Sequence, residues 1–371
     1  MSRLTILDQP DKVMEIDKSN MIELCERTPF FCGDAIRRVE KMKLPSNYST
    51  LRNIIVVGMG GSAISGELLR DWLFDQVMVP IQICKDYVLP AYADQKSLVI
   101  AVSYSGETEE TLSSFLEAVN RNCMVLTISS GGHLQAFSQK LRIPHILIPT
   151  GFPPRAAIAY LLFPLIVLME KLGIIEGVDE EIKEALDILG KVSRENAQCI
   201  PLRSNKAKRL ASEIKDTIPV IYGFRQYAAV ARRLKCQFNE NSKVPSKFDV
   251  FSELNHNDIV GWEASKNLTQ SFSLIFIRDP KEPSEIRQRI ELTKQLVSEK
   301  VSRVLEIPAL GEMKLAKMLS TVCIGDFVSI YLALLNGVDP TPTKTITYLK
   351  EEIMAKLNMM KKLEKEIKKR A

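Results

Sequence analysis

The sequence has little histidine and no clustered cysteine, and these shortages remove the commonest ways in which a protein holds a metal ion. Only three histidines occur in 371 residues, namely His133, His145 and His256, and no two of them have metal-ligand spacing. The seven cysteines are odd in number and widely scattered, without a Cys-x-x-Cys pair. We therefore expect no metal site, and we interpret the cysteines as reduced thiols of a cytoplasmic protein.

The sequence also lacks a long hydrophobic run and a recognisable secretory leader. The longest apolar run, residues 156–169, has 14 residues and contains Pro164, whereas a membrane-spanning helix needs roughly 20. The first twenty residues carry acidic side chains and no apolar core of the secretory type. These features predict a cytoplasmic protein with no membrane partner, and a buried helix at residues 156–169.

Charge and composition are those of an ordinary globular protein. Hydrophobic residues make up 46% of the chain and charged residues 26%. The net charge is +5, and much of it lies in residues 361–370, which is weak support for nucleic-acid binding. We expect no nucleic-acid partner, and a length of 371 residues suits two domains better than one core.

Short apolar runs alternate with helical patterns along most of the chain, which is typical of parallel sheets covered by helices. In the first half the strands are predicted at 54–57, 80–84, 98–102, 123–128 and 145–148, and the helices at 107–120 and 135–141. In the second half the strands are predicted at 219–223, 272–277 and 304–307, and the helices at 227–238, 284–298 and 315–335. The predicted fold class is α/β, with two doubly wound domains whose parallel sheets are flanked by helices.

Changes in these patterns set the predicted domain boundaries. They give a helical N-terminal segment at 1–45, a first α/β domain at 46–175, a helical connection at 176–216, a second α/β domain at 217–338 and a C-terminal helix at 339–371. From residue 345 onward, one helical face carries Tyr348, Ile353, Leu357, Met360, Leu363 and Ile367. We expect this face to pack against the protein.

A glycine-rich turn follows the first predicted strand. Residues 58–62 read Gly-Met-Gly-Gly-Ser, so the backbone can bend tightly, aim N–H groups at one point and start a helix whose positive end favours an anion. Gly60, Gly61 and Ser62 are the candidate anion-binding residues. The second half does not repeat this turn, so we expect the main phosphate site in the first half only.

Two kinds of nucleotide site compete with a simple phosphate site. Gly58-x-Gly60-x-x-Ala63 satisfies the relaxed dinucleotide pattern, and the glycines alone do not decide the matter. A dinucleotide fold also needs an acid at the end of the second strand, but there Lys85 precedes Asp86, which disfavours NAD without excluding it. A triphosphate P-loop is excluded more firmly, because no Gly-Lys-Ser/Thr follows the turn.

A second polar loop favours a monophosphate. Residues 103–108 read Ser-Tyr-Ser-Gly-Glu-Thr, and taken alone they are typical of an ordinary helix cap. Ser103, Ser105 and Thr108 nevertheless offer three hydroxyls at the carboxyl end of a strand, where ligands of open α/β sheets bind. Together with the glycine turn, they predict that hydroxyls and two helix N-termini gather around one small phosphate.

These motifs resemble those of the sugar isomerase (SIS) domain family, in which Gly-x-Gly-Gly-Ser-Ala-x-Ser-Gly is followed by Ser-x-Ser-Gly-Glu-Thr. Two further stretches are Gly-Phe-Pro-Pro-Arg at 151–155 and Phe-Asn-Glu-Asn-Ser-Lys at 238–243. With them, the chain from about residue 50 to 350 resembles the bifunctional phosphoglucose/phosphomannose isomerases. The resemblance implies two SIS-type domains and an aldose–ketose isomerisation of sugar phosphates without metal or cofactor.

The resemblance also implies which residues do the chemistry. Glu240 matches the catalytic base of the family, although by itself it reads as a surface acid at a helix end. His256 matches the ring-opening acid, although by itself it reads as an exposed loop histidine. Arg155 matches the arginine that stabilises the enediolate, and a cation at a predicted helix start independently favours an anionic partner.

A lysine near the C terminus assists the reaction in this family. Lys350 is the best match, and Lys344 is its rival because Thr343-Lys344-Thr345 follows Pro342 here. Thr343 is a weaker candidate for accommodating both C2 epimers of the sugar.

Two other functions stay open on the sequence. A non-catalytic phosphosugar sensor would keep the phosphate site without needing Glu240 or His256, although no helix-turn-helix segment is evident. An NAD-dependent enzyme is the third possibility. The family further implies a homodimer in which His256 can come from the neighbouring subunit.

Overall fold

The structure is a computed structural model that describes residues 5–357 and 359–370. The chain forms two compact units. Unit I consists of Phe30–Val178 and the described residues from Thr343 onward, and unit II of the described residues up to Pro29 together with Asp179–Pro342. Each unit contains one parallel sheet, so the predicted α/β class with two sheets is confirmed, while the exact domain boundaries stay predictions.

In the part of the chain that the structure describes, three α-helices precede the first strand. They are α1 (Pro10–Ile16), α2 (Met21–Glu26) and α3 (Thr28–Glu40). α2 begins where the buried carboxylate of Asp17 accepts hydrogen bonds from the backbone N–H groups of Met21 at 2.8 Å and Ile22 at 2.9 Å. Burial raises the pKa of Asp17, and these two bonds oppose that rise.

The sheet of unit I has five parallel strands in the order β2-β1-β3-β4-β5. They are β1 (Asn53–Val57), β2 (Ile81–Cys84), β3 (Ser97–Val102), β4 (Met124–Ser129) and β5 (His145–Leu147). Every residue of β3 and β4 is buried, as expected for inner strands covered on both faces. All five predicted strands are confirmed, and β1 and β3 lie side by side with their carboxyl ends at one edge.

The helices that follow the strands of the first sheet confirm the predicted alternation. They are α4 (Gly61–Leu73), α5 (Glu109–Asn120), α6 (Gly132–Lys140) and α7 (Ile158–Lys171). Every residue of α7 from Ile158 to Met169 is buried, including Pro164. The buried helix predicted from the apolar run at 156–169 is therefore confirmed.

The helical connection and the second sheet make up most of unit II. The helices are α8 (Val178–Glu195), α9 (Lys206–Glu213), α10 (Ala228–Gln237), α11 (Lys266–Thr269), α12 (Ser284–Val297) and α13 (Lys314–Leu335). The four parallel strands are β6 (Ile218–Phe224), β7 (Lys247–Phe251), β8 (Phe272–Arg278) and β9 (Arg303–Pro308), in the order β7-β6-β8-β9. The sequence predicts all of these strands except β7, which lies at the edge and has only its last residue buried.

α13 is the central helix of unit II. By length and composition it is apolar enough to cross a membrane, but 94% of its apolar window is buried inside the protein. Its two charged residues at buried positions, Lys317 and Asp326, are paired with Asp279 and Arg233. α13 is therefore built as the core helix of the unit.

Two helices occupy the C-terminal stretch for which one amphipathic helix is predicted. They are α14 (Lys344–Leu357) and α15 (Met359–Arg370). Leu363 and Ile367 of α15 are buried in the core of unit I, as expected. The expectation is wrong for α14, which has no buried residue and exposes three members of the predicted face, namely Tyr348, Ile353 and Leu357.

Candidate functional site

The glycine turn lies at the carboxyl end of β1 in unit I. Val57 ends the strand, and Gly61 begins α4. Gly60, between them, has a φ of +51°, a left-handed conformation that glycine adopts at little cost. The predicted strand–turn–helix is confirmed, with the positive end of α4 at the sheet edge where ligands bind.

The turn lies against the segment that carries Arg155. A Cβ atom on Gly61 would come 3.2 Å from the carbonyl oxygen of Pro154 and 3.5 Å from the Cα of Arg155. The missing side chain thus lets the two backbones approach closely. Arg155 itself is only 3% exposed and lies in a short 3-10 turn before α7, so a buried guanidinium belongs to the same neighbourhood as the glycine turn.

The hydroxyl loop, residues 103–108, follows β3 and is held by its own side chains. Ser103 Oγ donates to Thr108 Oγ1 at 2.9 Å and accepts from the backbone N–H of Gly106 at 3.1 Å. Ser105 is exposed, and its Oγ accepts from the backbone N–H of Glu107 at 3.2 Å. The three predicted hydroxyls therefore lie in one loop, and two of them are in direct contact.

Tyr104 connects the hydroxyl loop with two other segments. Its backbone N–H donates to Ser62 Oγ at 3.3 Å. Its hydroxyl donates to the carbonyl oxygen of Pro149 at 3.1 Å and accepts from the backbone N–H of Phe152 at 2.8 Å. Burial raises the pKa of Tyr104, which keeps the hydroxyl protonated. The role of Tyr104 is not among the sequence predictions, and the available signal was an aromatic side chain between two serines of the loop.

A histidine supports the hydroxyl loop from α6. His133 Nδ1 lies 2.6 Å from one oxygen of Glu107, and the backbone N–H of His133 donates to the other at 3.0 Å. His133 Nε2 lies 3.2 Å from Glu364 of α15. Burial would lower the pKa of His133, but the hydrogen bonds and charges of Glu107 and Glu364 raise it above its usual value.

The residue that directly follows β2 is a basic one in an ion pair, and not an acidic one. Lys85 forms an ion pair with Glu67 of α4, whose side chain is 4% exposed. A dinucleotide fold needs an acid that holds a ribose at this place. The pairing agrees with the preference for phosphate over NAD.

Glu240 lies in unit II, in a π-helical turn, Phe238–Ser242, that continues α10. Its neighbours are fastened to α13. Asn241 Nδ2 donates to Ser329 Oγ at 2.8 Å, and Ser242 Oγ donates to the carbonyl oxygen of Ser329 at 2.6 Å. Glu240 is half-buried, so the predicted polar turn is an ordered one with the carboxylate at its middle.

His256 lies in the same unit, in a short 3-10 turn after β7. The side chain is exposed, and the turn around it is fixed from both sides. Asn255 Nδ2 donates to Thr293 Oγ1 at 2.9 Å, and the Tyr222 hydroxyl donates to the carboxylate of Asp258. An exposed imidazole on a fixed backbone is suited to reach a ligand.

Glu240 and His256 lie at opposite edges of one sheet. α10 starts at the carboxyl end of β6 and runs antiparallel to that strand, so Glu240, which follows α10, lies near the amino ends of the strands. At that end of the sheet, Ser246 Oγ donates to the Pro219 carbonyl oxygen at 2.7 Å. His256 follows the carboxyl end of β7, a strand of 5 residues. At about 3.3 Å per residue, the two edges are about 16 Å apart. Unit II alone therefore does not bring these two residues together.

The three C-terminal candidates belong to the stretch from Thr343 onward in unit I. The Thr343 carbonyl oxygen accepts from the backbone N–H of Thr347 at 3.1 Å and so starts α14. Lys344 and Lys350 are both exposed. The roles of all three residues stay predictions.

The carboxyl edge of the second sheet is filled by an ion network. Asp279, which follows β8, accepts from the Tyr227 hydroxyl at 2.6 Å and from Lys317 Nζ at 2.8 Å. Burial would raise the pKa of Asp279, but these two donors lower it. All three side chains are buried, so protein groups occupy the place that corresponds to the hydroxyl loop of unit I.

Within residues 5–357 and 359–370, no group of three or more His, Cys, Asp and Glu side chains is arranged to hold a metal ion. Independence from metal nevertheless stays a prediction. The seven cysteines, all of which lie in the described part of the chain, form no disulfide bond, and Cys199 is the exposed one among them.

Two family models match the chain. The model described as "Bacterial phospho-glucose isomerase C-terminal SIS domain" matches residues 203–353. The model described as "SIS domain" matches residues 48–145. The first match contains all four strands of the second sheet, and the second match contains β1 to β4 of the first sheet.

Similar sequences carry related names. A bifunctional phosphoglucose/phosphomannose isomerase of Caldicellulosiruptor bescii is 43% identical over 301 residues, which are 81% of this chain and 89% of the relative. A protein of the same name from Aquifex aeolicus is 35% identical over 304 residues, 81% and 90% of the two chains. A D-glucosamine-6-phosphate 4-epimerase of Sulfolobus acidocaldarius is 30% identical over 240 residues, 64% and 72% of the two chains.

Solved structures share the fold at low sequence identity. A hypothetical protein of Thermus thermophilus has a TM-score of 0.73 at 14% identity and covers 95% of this chain and 94% of its own. A putative phosphosugar isomerase of Clostridium difficile has a TM-score of 0.67 at 15% identity, with coverage of 89% and 97%.

Proposed function

Because the chain belongs to the family of bifunctional phosphoglucose/phosphomannose isomerases, we propose that it interconverts glucose 6-phosphate and mannose 6-phosphate with fructose 6-phosphate. The observation that carries the proposal is the cluster in unit I. There the glycine turn, the hydroxyl loop and the segment of buried Arg155 are in mutual contact. Such a cluster at the carboxyl edge of a parallel sheet suits one phosphoryl group.

The hydrogen bonds within the protein leave the hydroxyl protons of several side chains available to the phosphate. Ser62 Oγ and Ser105 Oγ each accept a backbone N–H, which fixes the oxygen and leaves the hydroxyl proton to donate. Ser103 donates to Thr108, so the proton of Thr108 is the one directed to the ligand. Hydrogen bonds to a charged phosphate are stronger than those between neutral groups. Gly60 and Gly61 give the backbone of the turn close access to the same oxygens.

The reaction moves one proton between C1 and C2 of the open sugar. His256, with Lys350 or Lys344, opens the ring by giving a proton to the ring oxygen. Glu240 removes the C2 proton of the aldose and returns it to C1 of the cis-enediolate while the hydroxyl proton of O2 passes to O1, and so forms the ketose. When the C2–C3 bond of the enediolate turns, the reverse step delivers the proton to either face of C2, where Thr343 helps to accommodate both epimers.

Arg155 stabilises the negative charge of the enediolate. A guanidinium remains charged at any working pH, and a buried cation acts on a developing oxyanion more strongly than one in water. This residue would supply the stabilisation that a metal ion gives in other isomerases. We therefore expect full activity in excess EDTA, and a chelator-sensitive activity would contradict the role given to Arg155.

We propose further that the enzyme is a cytoplasmic homodimer with shared active sites. The separation of Glu240 and His256 across the second sheet supports this, because a base that acts at C2 and C1 and an acid that acts at the ring oxygen must both lie within reach of one sugar. Glu240 from one subunit and the partner's His256 would satisfy that requirement. The thiols without disulfide bonds agree with a reducing compartment.

The test is Glu240→Gln assayed with glucose 6-phosphate and with mannose 6-phosphate. Gln keeps the size of the side chain but cannot accept the proton, so we expect kcat to fall by at least about 1,000-fold for both substrates while KM changes little. Glu263→Gln, at an exposed glutamate of unit II, is the matched control and should be fully active. Loss of one activity alone would contradict a common base.

The same assay separates the enzyme from its main alternative. A non-catalytic phosphosugar sensor would bind fructose 6-phosphate tightly and would show no turnover in the unmodified chain. An NAD-dependent enzyme would instead change the fluorescence of added nicotinamide dinucleotide. Turnover without any nucleotide contradicts both alternatives.

A further inference from the structure

We propose that Lys243 is a positioning residue for the catalytic base, an inference that rests on the proposed role of Glu240. Lys243 follows the π-helical turn that contains Glu240. Its Nζ donates to the carbonyl oxygens of Glu240 at 2.6 Å, Asn241 at 3.4 Å and Pro340 at 3.1 Å. The three N–H donors of one ammonium group are thus matched by three backbone carbonyls.

The backbone of Lys243 is unusual for its residue type. Its φ is +56° and its ψ +34°, a left-handed conformation that glycine or asparagine adopts more easily. The Lys243 N–H donates to the carbonyl oxygen of Phe238 and so closes the turn. A lysine at this position has a physical reason, because the last carbonyls of a helix lack partners within the helix and carry the negative end of its dipole.

The ammonium group joins two segments of unit II. One is the π-helical turn of Glu240, and the other is the segment Asp339–Pro342 at the end of the unit. Asn241 and Ser242 are also bonded to Ser329 of α13. The segment that follows Glu240 is therefore held both by α13 and by the Lys243 ammonium, and the ammonium bonds to the carbonyl of Glu240 itself.

Removal of this bond should change the position of the base more than the stability of the protein. Lys243 is exposed, so water can replace the ammonium at the carbonyls. A displacement of a catalytic group by about 1 Å is enough to reduce a rate by about 100-fold. The effect expected of a positioning residue is thus on kcat.

Lys243→Gly tests the inference cleanly, because glycine removes the ammonium and tolerates the left-handed backbone. We expect a melting temperature close to that of the unmodified chain, a kcat at least about 10-fold lower, and a KM for glucose 6-phosphate within about twofold. Lys247→Met, at an exposed lysine of β7, is the matched control and should change neither parameter.

Two further measurements exclude a merely structural effect. Hydrogen–deuterium exchange in peptides covering residues 238–244 should be faster in Lys243→Gly and unchanged in Lys247→Met, independently of turnover. In a Glu240→Asp background, where the carboxylate is already displaced, Lys243→Gly should cost less activity than it does alone. Both results would support a role exerted through Glu240.

The outcomes are distinguishable. Any one of three results overturns the inference and leaves the proposed function standing. These results are an unchanged kcat in Lys243→Gly, unchanged hydrogen–deuterium exchange of residues 238–244, and effects of Lys243→Gly and Glu240→Asp on kcat that multiply fully in the double variant. An unmodified chain without isomerase activity overturns the proposed function, and the inference with it.

Discussion

The hydroxyl oxygen of Ser62 in the glycine turn accepts the backbone N–H of Tyr104 in the hydroxyl loop. The phenol of Tyr104 in turn holds Pro149 and Phe152, just before Arg155 in the sequence. One residue therefore sets the spacing of three segments around the proposed phosphate. Its side chain needs to make no contact with the substrate to affect binding.

Tyr104→Phe should weaken substrate binding. The change leaves the Phe152 N–H and the Pro149 carbonyl without their buried partner, at a cost of about 1–3 kcal/mol in the free energy of unfolding. Because the phosphate is held equally in the ground and transition states, we expect KM for glucose 6-phosphate to rise by about 10-fold with kcat nearly unchanged. Steady-state kinetics and thermal unfolding measure the two effects.

Tyr92→Phe is the control for Tyr104→Phe. Tyr92 belongs to the same unit and its side chain is 50% exposed. Loss of its hydroxyl should change neither KM nor the melting temperature. Equal effects of the two variants would contradict the role of Tyr104.

Much of the proposed phosphate site follows from local sequence. The glycine turn and the hydroxyl loop each lie within six consecutive residues, so turn chemistry and strand ends suffice to predict them. The role of Tyr104 depends on partners 45 and 48 residues away, and no local pattern gives such contacts. The close approach of Arg155 to Gly61 is beyond local reasoning for the same reason.

The opposite positions of Glu240 and His256 could not be predicted, because β7 was not. β7 reads Lys-Phe-Asp-Val-Phe, which is too polar for the apolar run that reveals inner strands. As an edge strand it buries only one residue, so charged side chains are tolerated. Without β7, nothing in the sequence places His256 at the carboxyl edge of the sheet.

His133 should stabilise the protein most at mildly acidic pH. Glu107 and Glu364 raise its pKa in the folded chain above the ordinary value of about 6.5, despite burial. Such a group contributes its full stabilisation below pH 6.5 and loses it as the pH rises through the folded pKa. The melting-temperature difference between the unmodified chain and His133→Gln should therefore be largest near pH 5 to 6 and shrink toward pH 8.

The pKa of His145 is shifted in the opposite direction from that of His133. Burial lowers the pKa of His145 to about 4, so the unfolded chain binds a proton there between about pH 6.5 and 4 and the folded chain does not. His145→Asn should reduce the loss of stability on acidification through that range, whereas His133→Gln should not. A melting-temperature difference for His133→Gln that is constant from pH 5 to 8 would contradict the proposed charge on that residue.

Each chain should bind one sugar phosphate. The carboxyl edge of the second sheet is occupied by Lys317, Asp279 and Tyr227, in which the Asp279 carboxylate accepts hydrogen bonds from the other two side chains. Isothermal titration with fructose 6-phosphate should give one site per chain, and Ser103→Ala should weaken that site severely. Strong residual binding in Ser103→Ala, with a second stoichiometric site, would contradict the division of roles between the units.

Lys317→Met separates folding from binding in this titration. It leaves the Asp279 carboxylate buried without its cation, which should destabilise the protein by about 3–5 kcal/mol. At a temperature where the variant is still folded, the stoichiometry should stay at one sugar phosphate per chain. An altered stoichiometry would indicate that the carboxyl edge of the second sheet also binds a sugar phosphate.

Mixed dimers test whether the active site is shared. Glu240→Gln and His256→Asn are each expected to be inactive as pure proteins. If every site uses Glu240 of one subunit and the partner's His256, then a mixed dimer contains one site with both changes and one site with neither. If both residues come from one chain, every site in a mixed dimer carries one change and stays inactive.

The expected recovery follows from the composition of the mixture. When the two variants are unfolded together and refolded in equal amounts, about half of the dimers are mixed, and half of the sites in each mixed dimer are intact. Activity should therefore return to about a quarter of that of the unmodified enzyme. Refolding each variant separately and combining them afterwards should give no recovery, because subunits must exchange. No recovery after joint refolding would assign Glu240 and His256 to the same chain and would contradict a shared active site.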